Sequence, residues 1–185
     1  LDLKNPTLGS TSADLKKGNL LLWLPAKGGL PTRAGWFWAK GTDHTVRSLN
    51  YLVNSYFLTV GQNSHLQVNL APDNRGQAPA GEQALLRNFG TYLHALYATN
   101  YAEGAVAMAN VKGCGSLASL FDADPYTSWS ATKNGTNIEF TIQLPKAQTF
   151  DVVKLQENIR DHGQLISQFE VDVHLDGTWK KVGQG

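Results

Sequence analysis

The sequence predicts an α/β segment followed by an all-β segment, with the change near residue 103. Three observations carry that prediction. Strand-like and helix-like stretches alternate up to Tyr97. The helical period then disappears. Beyond it apolar side chains recur at every second position, as in Phe169, Val171, Val173 and Leu175, the period of a strand with one buried face.

The elements follow in order. Residues 35–39 hold a short aromatic run, Trp36-Phe37-Trp38, bounded by polar residues and glycine, and read as strand-like. From Val46 the pattern turns helical: Val46, Leu49, Leu52, Val53, Tyr56, Phe57 and Val60 recur at three and four. Thr45 is the expected N-cap and Gly61 the expected stop. Leu66, Val68 and Leu70 then alternate with Gln67 and Asn69 as in a strand. Residues 72–76, Pro-Asp-Asn-Arg-Gly, have turn chemistry. A second amphipathic helix follows, with Leu85, Leu86, Phe89, Leu93, Leu96 and Tyr97 on its apolar stripe and Glu82 in its first turn. Strand, helix, strand, helix implies parallel strands with crossover helices. Such repeats fit the end of either a doubly wound sheet or a (β/α)8 barrel. No Gly-rich phosphate loop joins a strand to a helix, which argues against a nucleotide site.

In the second segment Ile138, Phe140, Ile142 and Leu144 alternate with polar residues, and Val153 with Leu155 repeat the pattern. After Phe169 to Leu175, Asp176-Gly177 signals a hairpin leading to Trp179 and Val182. Short alternating strands separated by turns predict an antiparallel sandwich. Few strands follow the hairpin before Gly185, so the sandwich is expected to be incomplete.

Bulk properties narrow the function classes. The chain has 185 residues, 42% hydrophobic and 17% charged, as in ordinary globular proteins. A net charge of +1 gives no electrostatic case for nucleic acid or an anionic membrane as partner. The longest apolar run, residues 20–25, is far too short to span a bilayer. Leu1 in place of Met reads as a cut or processed start, which leaves the compartment open. The single cysteine, Cys114, excludes an internal disulfide and is expected to be a small residue in a strand or turn. Asn134-Gly135-Thr136 fits the N-glycosylation acceptor pattern, which matters only in a secreted eukaryotic chain.

Two sets of motifs carry a resemblance. The first comprises Trp23-x-Pro25, the run Arg33-Ala34-Gly35-Trp36-Phe37-Trp38, then Val60-Gly61-Gln62-Asn63, and Leu66-x-x-Asn69-x-x-Pro72-Asp73-x-x-Gly76. In order and spacing, over roughly residues 20–100, this resembles glycoside hydrolase family 29, the retaining α-L-fucosidases. The second comprises residues 120–129, Leu-Phe-Asp-Ala-Asp-Pro-Tyr-Thr-Ser-Trp, then Phe140-Thr141-Ile142, residues 150–157, and Gln164-Leu165-Ile166-x-x-Phe169. It resembles the coagulation factor 5/8 type C, or discoidin-like, module that follows the barrel in many such enzymes. Together they imply that residues 1–103 are the C-terminal part of a catalytic (β/α)8 barrel. Residues 104–185 would be a discoidin-like β-sandwich truncated at its C-terminus.

The resemblance also assigns expectations to residues. A retaining glycosidase needs two carboxyls about 5–5.5 Å apart. The family's nucleophile lies on a strand that would precede Leu1, so this chain alone is expected to be inactive. The acid/base position falls on Lys27 and a neighbouring aspartate position near Gly29. Lysine has no acceptor and cannot act as a carboxylic acid does. Three readings follow: an acid recruited from another loop, a weakened relative that still binds sugar, or a different alignment of this loop. Asp43, the nearest downstream carboxylate, reads as a solvated loop residue. Trp36 and Phe37 are the candidate aromatic wall under the sugar ring, with a buried core aromatic as the alternative. Arg33 is a candidate fork for a carboxylate or a sugar hydroxyl, or else a surface ion pair.

The remaining candidates are weaker. His44 and His65 read as loop or helix-end residues and His94 as structural. Asn69 either orients a loop or caps a turn. Asp122, Asp124 and Thr127 lie where related modules sometimes hold a structural calcium, and the alternative is a turn with Asp caps. Trp129 is expected in the core. No cofactor is required. The implied partners are fucosylated glycans, not nucleic acid or membrane, and the substrate class implies an extracellular, periplasmic or lysosomal location. Three readings compete: removal of terminal α-L-fucose by a two-step displacement, carbohydrate binding by a catalytically weakened protein with a discoidin-like recognition module, and a sandwich that is only a brace packed on the barrel.

Overall fold

A computed structural model describes residues 26–132 and 137–185. Trp23, Pro25, the apolar run and the acceptor pattern at Asn134 lie outside the described residues. The described residues fall into two units divided between Ala95 and Leu96.

In the first unit β1 (Lys27–Pro31) runs parallel to β2 (His65–Asn69), in a register from Lys27 opposite His65 to Pro31 opposite Asn69. Helix α1 (Leu49–Thr59) makes the crossover, and α2 (Ala80–Leu96) follows. Parallel strands with a helical crossover are what the strand–helix–strand order predicts. The aromatic run, however, is no strand: residues 34–37 bend through a loop, and the strand lies upstream at Lys27. β1 escapes detection because it offers Gly28, Gly29 and a single aliphatic residue, Leu30. Gly28 is required by packing, since a Cβ there would sit 2.6 Å from Thr59 Cγ2 at the end of α1.

Helix α1 begins at Leu49, three residues later than its apolar period suggests. Ser48, not Thr45, is the cap, its hydroxyl accepting the Tyr51 amide at 3.2 Å. Thr45 instead donates its hydroxyl to the Thr42 carbonyl at 2.7 Å within a 3-10 turn over Asp43–Thr45. Gly61 does not stop the helix either. A second 3-10 turn, Val60–Gln62, leads to Asn63 at φ 57°, which takes the left-handed position. The core is Leu30 from β1, Leu52 from α1 and Leu85 from α2. Val46, Leu49, Leu66, Val68, Leu86 and Phe89 pack around it. Burying each leucine contributes roughly 1.5–3 kcal/mol before entropy is counted.

The second unit is antiparallel throughout its described pairs. β3 (Val106–Ala109) pairs with β6 (Phe140–Gln143), and β4 (Gly113–Cys114) with β5 (Ser130–Ala131). β7 (Glu170–Leu175) forms a hairpin with β8 (Thr178–Gln184). Asp176 at φ 52° and Gly177 at φ 79° make its two-residue turn, as their sequence signals. Between β6 and β7 lies a single helical turn, α3 (Ile159–His162). Val153 and Leu155, expected in a strand, are not: they stand 47% and 55% exposed with no ladder partner among the described residues. Alternation is only half a strand, because the ladder must also be met by a neighbour. Trp129 packs edge-on against Phe140, with centroids 5.0 Å apart. It also lies over Gly113, where a Cβ would fall 2.2 Å from the indole. Cys114 sits in a strand as expected, but exposed.

Candidate functional site

In the first unit the chain leaves β1 at Pro31 and enters a loop that runs to the 3-10 turn at Asp43. Its tip carries Trp36, 55% exposed, and Phe37, 86% exposed, so neither is a core aromatic. Trp36 lies beside the backbone of Gly29, where a Cβ would be 3.9 Å from its ring. One edge of the ring therefore rests on β1 while the rest meets solvent. Lys27 is exposed on the same strand, two residues from Gly29 and so on the same face.

The loop is held from inside. Arg33 is 1% exposed and Glu82, in the first turn of α2, is fully buried. Arg33 Nε donates to Glu82 Oε1 at 2.5 Å, and its Nη2 pairs with the same oxygen. The rest of the guanidinium faces the loop: Nη1 donates to Thr42 Oγ1 at 2.8 Å and Nη2 reaches Asp43 Oδ1 at 3.4 Å. Asp43 Oδ1 also accepts Trp38 Nε1 at 3.2 Å. Thr42 donates its hydroxyl to the Ala39 carbonyl at 2.6 Å. From the other side Asn69, ending β2, donates Nδ2 to the Trp36 carbonyl at 2.8 Å. Asn69 thus orients a loop, one of its two expected roles.

Arg33 is therefore not the surface ion pair that the sequence allows. Its fork is occupied by Glu82, Thr42 and Asp43. Sequence reasoning missed Glu82 and Thr42 as members of this group. Glu82 sits at a first-turn position where an acid already has a local reason to be, so nothing marks it as buried. Asp43 is exposed, as expected, yet tied to Arg33 and Trp38. The histidines stand apart: His44 Nδ1 meets the Gly41 carbonyl at 3.0 Å, and His65 and His94 are exposed.

In the second unit Asp122, Asp124 and Thr127 do come together. Asp122 accepts the Thr127 hydroxyl at 2.7 Å and the Asp124 amide at 3.0 Å. Asp124 accepts the Tyr126 amide at 2.9 Å. The Thr127 hydroxyl, first, and the Asp124 amide hold the Asp122 carboxyl below its ordinary pKa. The arrangement is a turn with Asp caps. Calcium needs six to eight oxygens, and each Asp122 oxygen accepts one hydrogen bond while keeping a second lone pair. Among the described residues no group of three or more His, Cys, Asp or Glu could hold a metal. Nearby, Arg160 stacks on the exposed Tyr126 ring at 4.5 Å and forks onto Asp161 at 3.0 and 2.9 Å.

Residues 105–185 match the F5/8 type C domain family. The chain as a whole is similar to GH29 fucosidases. It aligns with the crystal structure of SpGH29 at 31% identity and a TM-score of 0.79, covering 86% of this chain and 35% of that one. A GH29 fucosidase of Ruminococcus gnavus, solved in complex with fucose, aligns at 27% identity and the same TM-score, covering 88% and 34%. A curated relative, putative alpha-L-fucosidase 1 of Oryza sativa subsp. japonica, is 25% identical over 88% of this chain and 32% of its own length. The chain thus spans about a third of the length of the curated relatives it matches. The Asp-capped turn at Asp122 and the half-buried Trp129 with its Phe140 contact lie inside the F5/8 type C region.

Proposed function

We propose that this chain is the closing portion of a GH29 α-L-fucosidase, in which β1, α1, β2 and α2 are the last βα units of a (β/α)8 barrel. Residues 104–185 supply the sandwich that follows. The observation that carries the reading is the exposed Trp36, seated on β1 and fixed by Asn69 at the end of the neighbouring parallel strand. In barrels the loops at strand ends gather the substrate groups. An aromatic face there packs against the C–H face of a sugar. Trp36, with Phe37 beside it, is the apolar wall, and Arg33 acts from behind rather than by touching sugar.

In the whole protein the reaction would be a retaining two-step displacement on terminal α-L-fucose, and that substrate class supports an extracellular, periplasmic or lysosomal location. The partners are fucosylated glycans. Calcium, if used, would be structural and confined to the Asp122 turn.

Lys27 supports a second reading, a carbohydrate-binding relative with weakened catalysis. An exposed cation stands on β1, two residues from Gly29, where the resemblance expects an acid. The two readings agree on fucose binding, so that is tested first. Saturation-transfer NMR of the full chain with L-fucose should show enhancement at the C6 methyl, and Trp36→Ala should abolish it. Unchanged affinity in Trp36→Ala would sink the site.

A further inference from the structure

We infer that Glu82 is a positioning residue for the aromatic wall: through Arg33 it fixes Thr42 and Asp43, and through them the loop that presents Trp36. This rests on the proposed sugar site and names what sets its geometry. The chain of contacts is continuous. Glu82 is fully buried, its Oε1 holds Arg33 Nε at 2.5 Å, and Arg33 reaches Thr42 at 2.8 Å and Asp43 at 3.4 Å. Asp43 holds the Trp38 indole at 3.2 Å, and Thr42 ties the loop to itself at the Ala39 carbonyl.

A stability role alone explains this poorly. Apolar residues of similar volume in place of a buried ion pair are often neutral or stabilising, whereas this pair turns two donor contacts onto two side chains of one loop. Arginine suits that task because its donors lie in a rigid planar fork. Glu82 Oε2 has no hydrogen-bond partner among the described residues, so the carboxylate's contacts converge on Arg33. Asn69 fixes the loop backbone at Trp36, and Arg33 fixes it further on, at Thr42 and Asp43.

The test separates positioning from stability in the full chain. Arg33→Met combined with Glu82→Leu removes the pair without stranding a charge. We expect its Tm to stay within about 5 °C of the parent, its Trp38 indole N–H resonance to move to a solvent-exposed value, and its L-fucose Kd to rise roughly tenfold. A folded double variant with an unmoved Trp38 resonance and unchanged Kd overturns the proposal. Should that variant fail to fold, Thr42→Val keeps the buried pair and Arg33's contact with Asp43, and removes the hydroxyl through which Arg33 reaches Thr42 and Thr42 reaches the Ala39 carbonyl. The same two changes are expected there, and their absence overturns the proposal equally. If the parent itself does not bind fucose, the functional reading fails, and the Trp38 resonance by itself decides whether Glu82 positions the loop.

Discussion

Arg33 shows how a single residue can be legible in type and illegible in role. Its place in the aromatic motif marks it as important, yet nothing local says that its partner lies 49 positions away. Asp161 is the opposite case, since its environment is wholly local. The Arg160 fork, chiefly, and the Asn158 amide lower its carboxyl to about 2 from an ordinary 3.8. A folded-state pKa below the unfolded value stabilises above the unfolded pKa, and that contribution is lost as pH falls from near 4 through about 2. A carboxyl-carbon NMR titration should place the Asp161 midpoint near 2. Arg160→Ala should raise that midpoint toward the ordinary value. A midpoint that does not move with Arg160 removed would refute the assigned cause.

At the scale of elements, periodicity served helices better than strands. The apolar stripes of α1 and α2 stand where their spacing puts them, and errors fall at the caps, where Ser48 and Asn63 replace Thr45 and Gly61. β1 was invisible because close packing had removed the side chains that would announce it. That close approach can be measured. Gly28→Ala places a methyl 2.6 Å from Thr59 Cγ2 and should cost about 1–3 kcal/mol by overpacking. Thr59→Ser deletes that methyl while keeping the hydroxyl bond to the Ser55 carbonyl, so it should recover most of the loss. A double-mutant cycle in denaturant with no coupling between the two changes would show the contact to be unimportant. The β7–β8 hairpin was readable from its turn, because alternation and an Asp-Gly turn gave the register from Leu175 back to Asp172, whereas the irregularity between Asp172 and Val171 had no local signal. Val153 and Leu155 show the limit of alternation without a partner.

For the whole molecule, the two halves carry different evidence: parallel strands with crossover helices before Ala95, antiparallel pairs and the F5/8 type C match after it. The apolar side chains left at the surface of the second unit, Trp179 and Val182 among them, are of the kind that a second sheet covers in a sandwich. In the first unit Lys27 cannot donate a proton as a carboxylic acid does, and Glu82 is sealed behind Arg33. The full 185-residue chain should therefore release no nitrophenol from an aryl α-L-fucoside above the buffer rate, even where it binds fucose. Steady release at any appreciable rate would mean that a carboxylate pair assembles within this chain.

The sequence by itself determined the two periods, the helical stripes, the hairpin turn and the motif order that points to fucosidases, because each is written in neighbouring residues. Only the tertiary structure decided that the aromatic run is an exposed loop seated on a glycine strand. It alone brought Glu82 beneath Arg33. The physical reason is the same for both: a close approach of backbones and a buried charge pair are fixed by partners distant in the chain, and no local pattern records a distant partner.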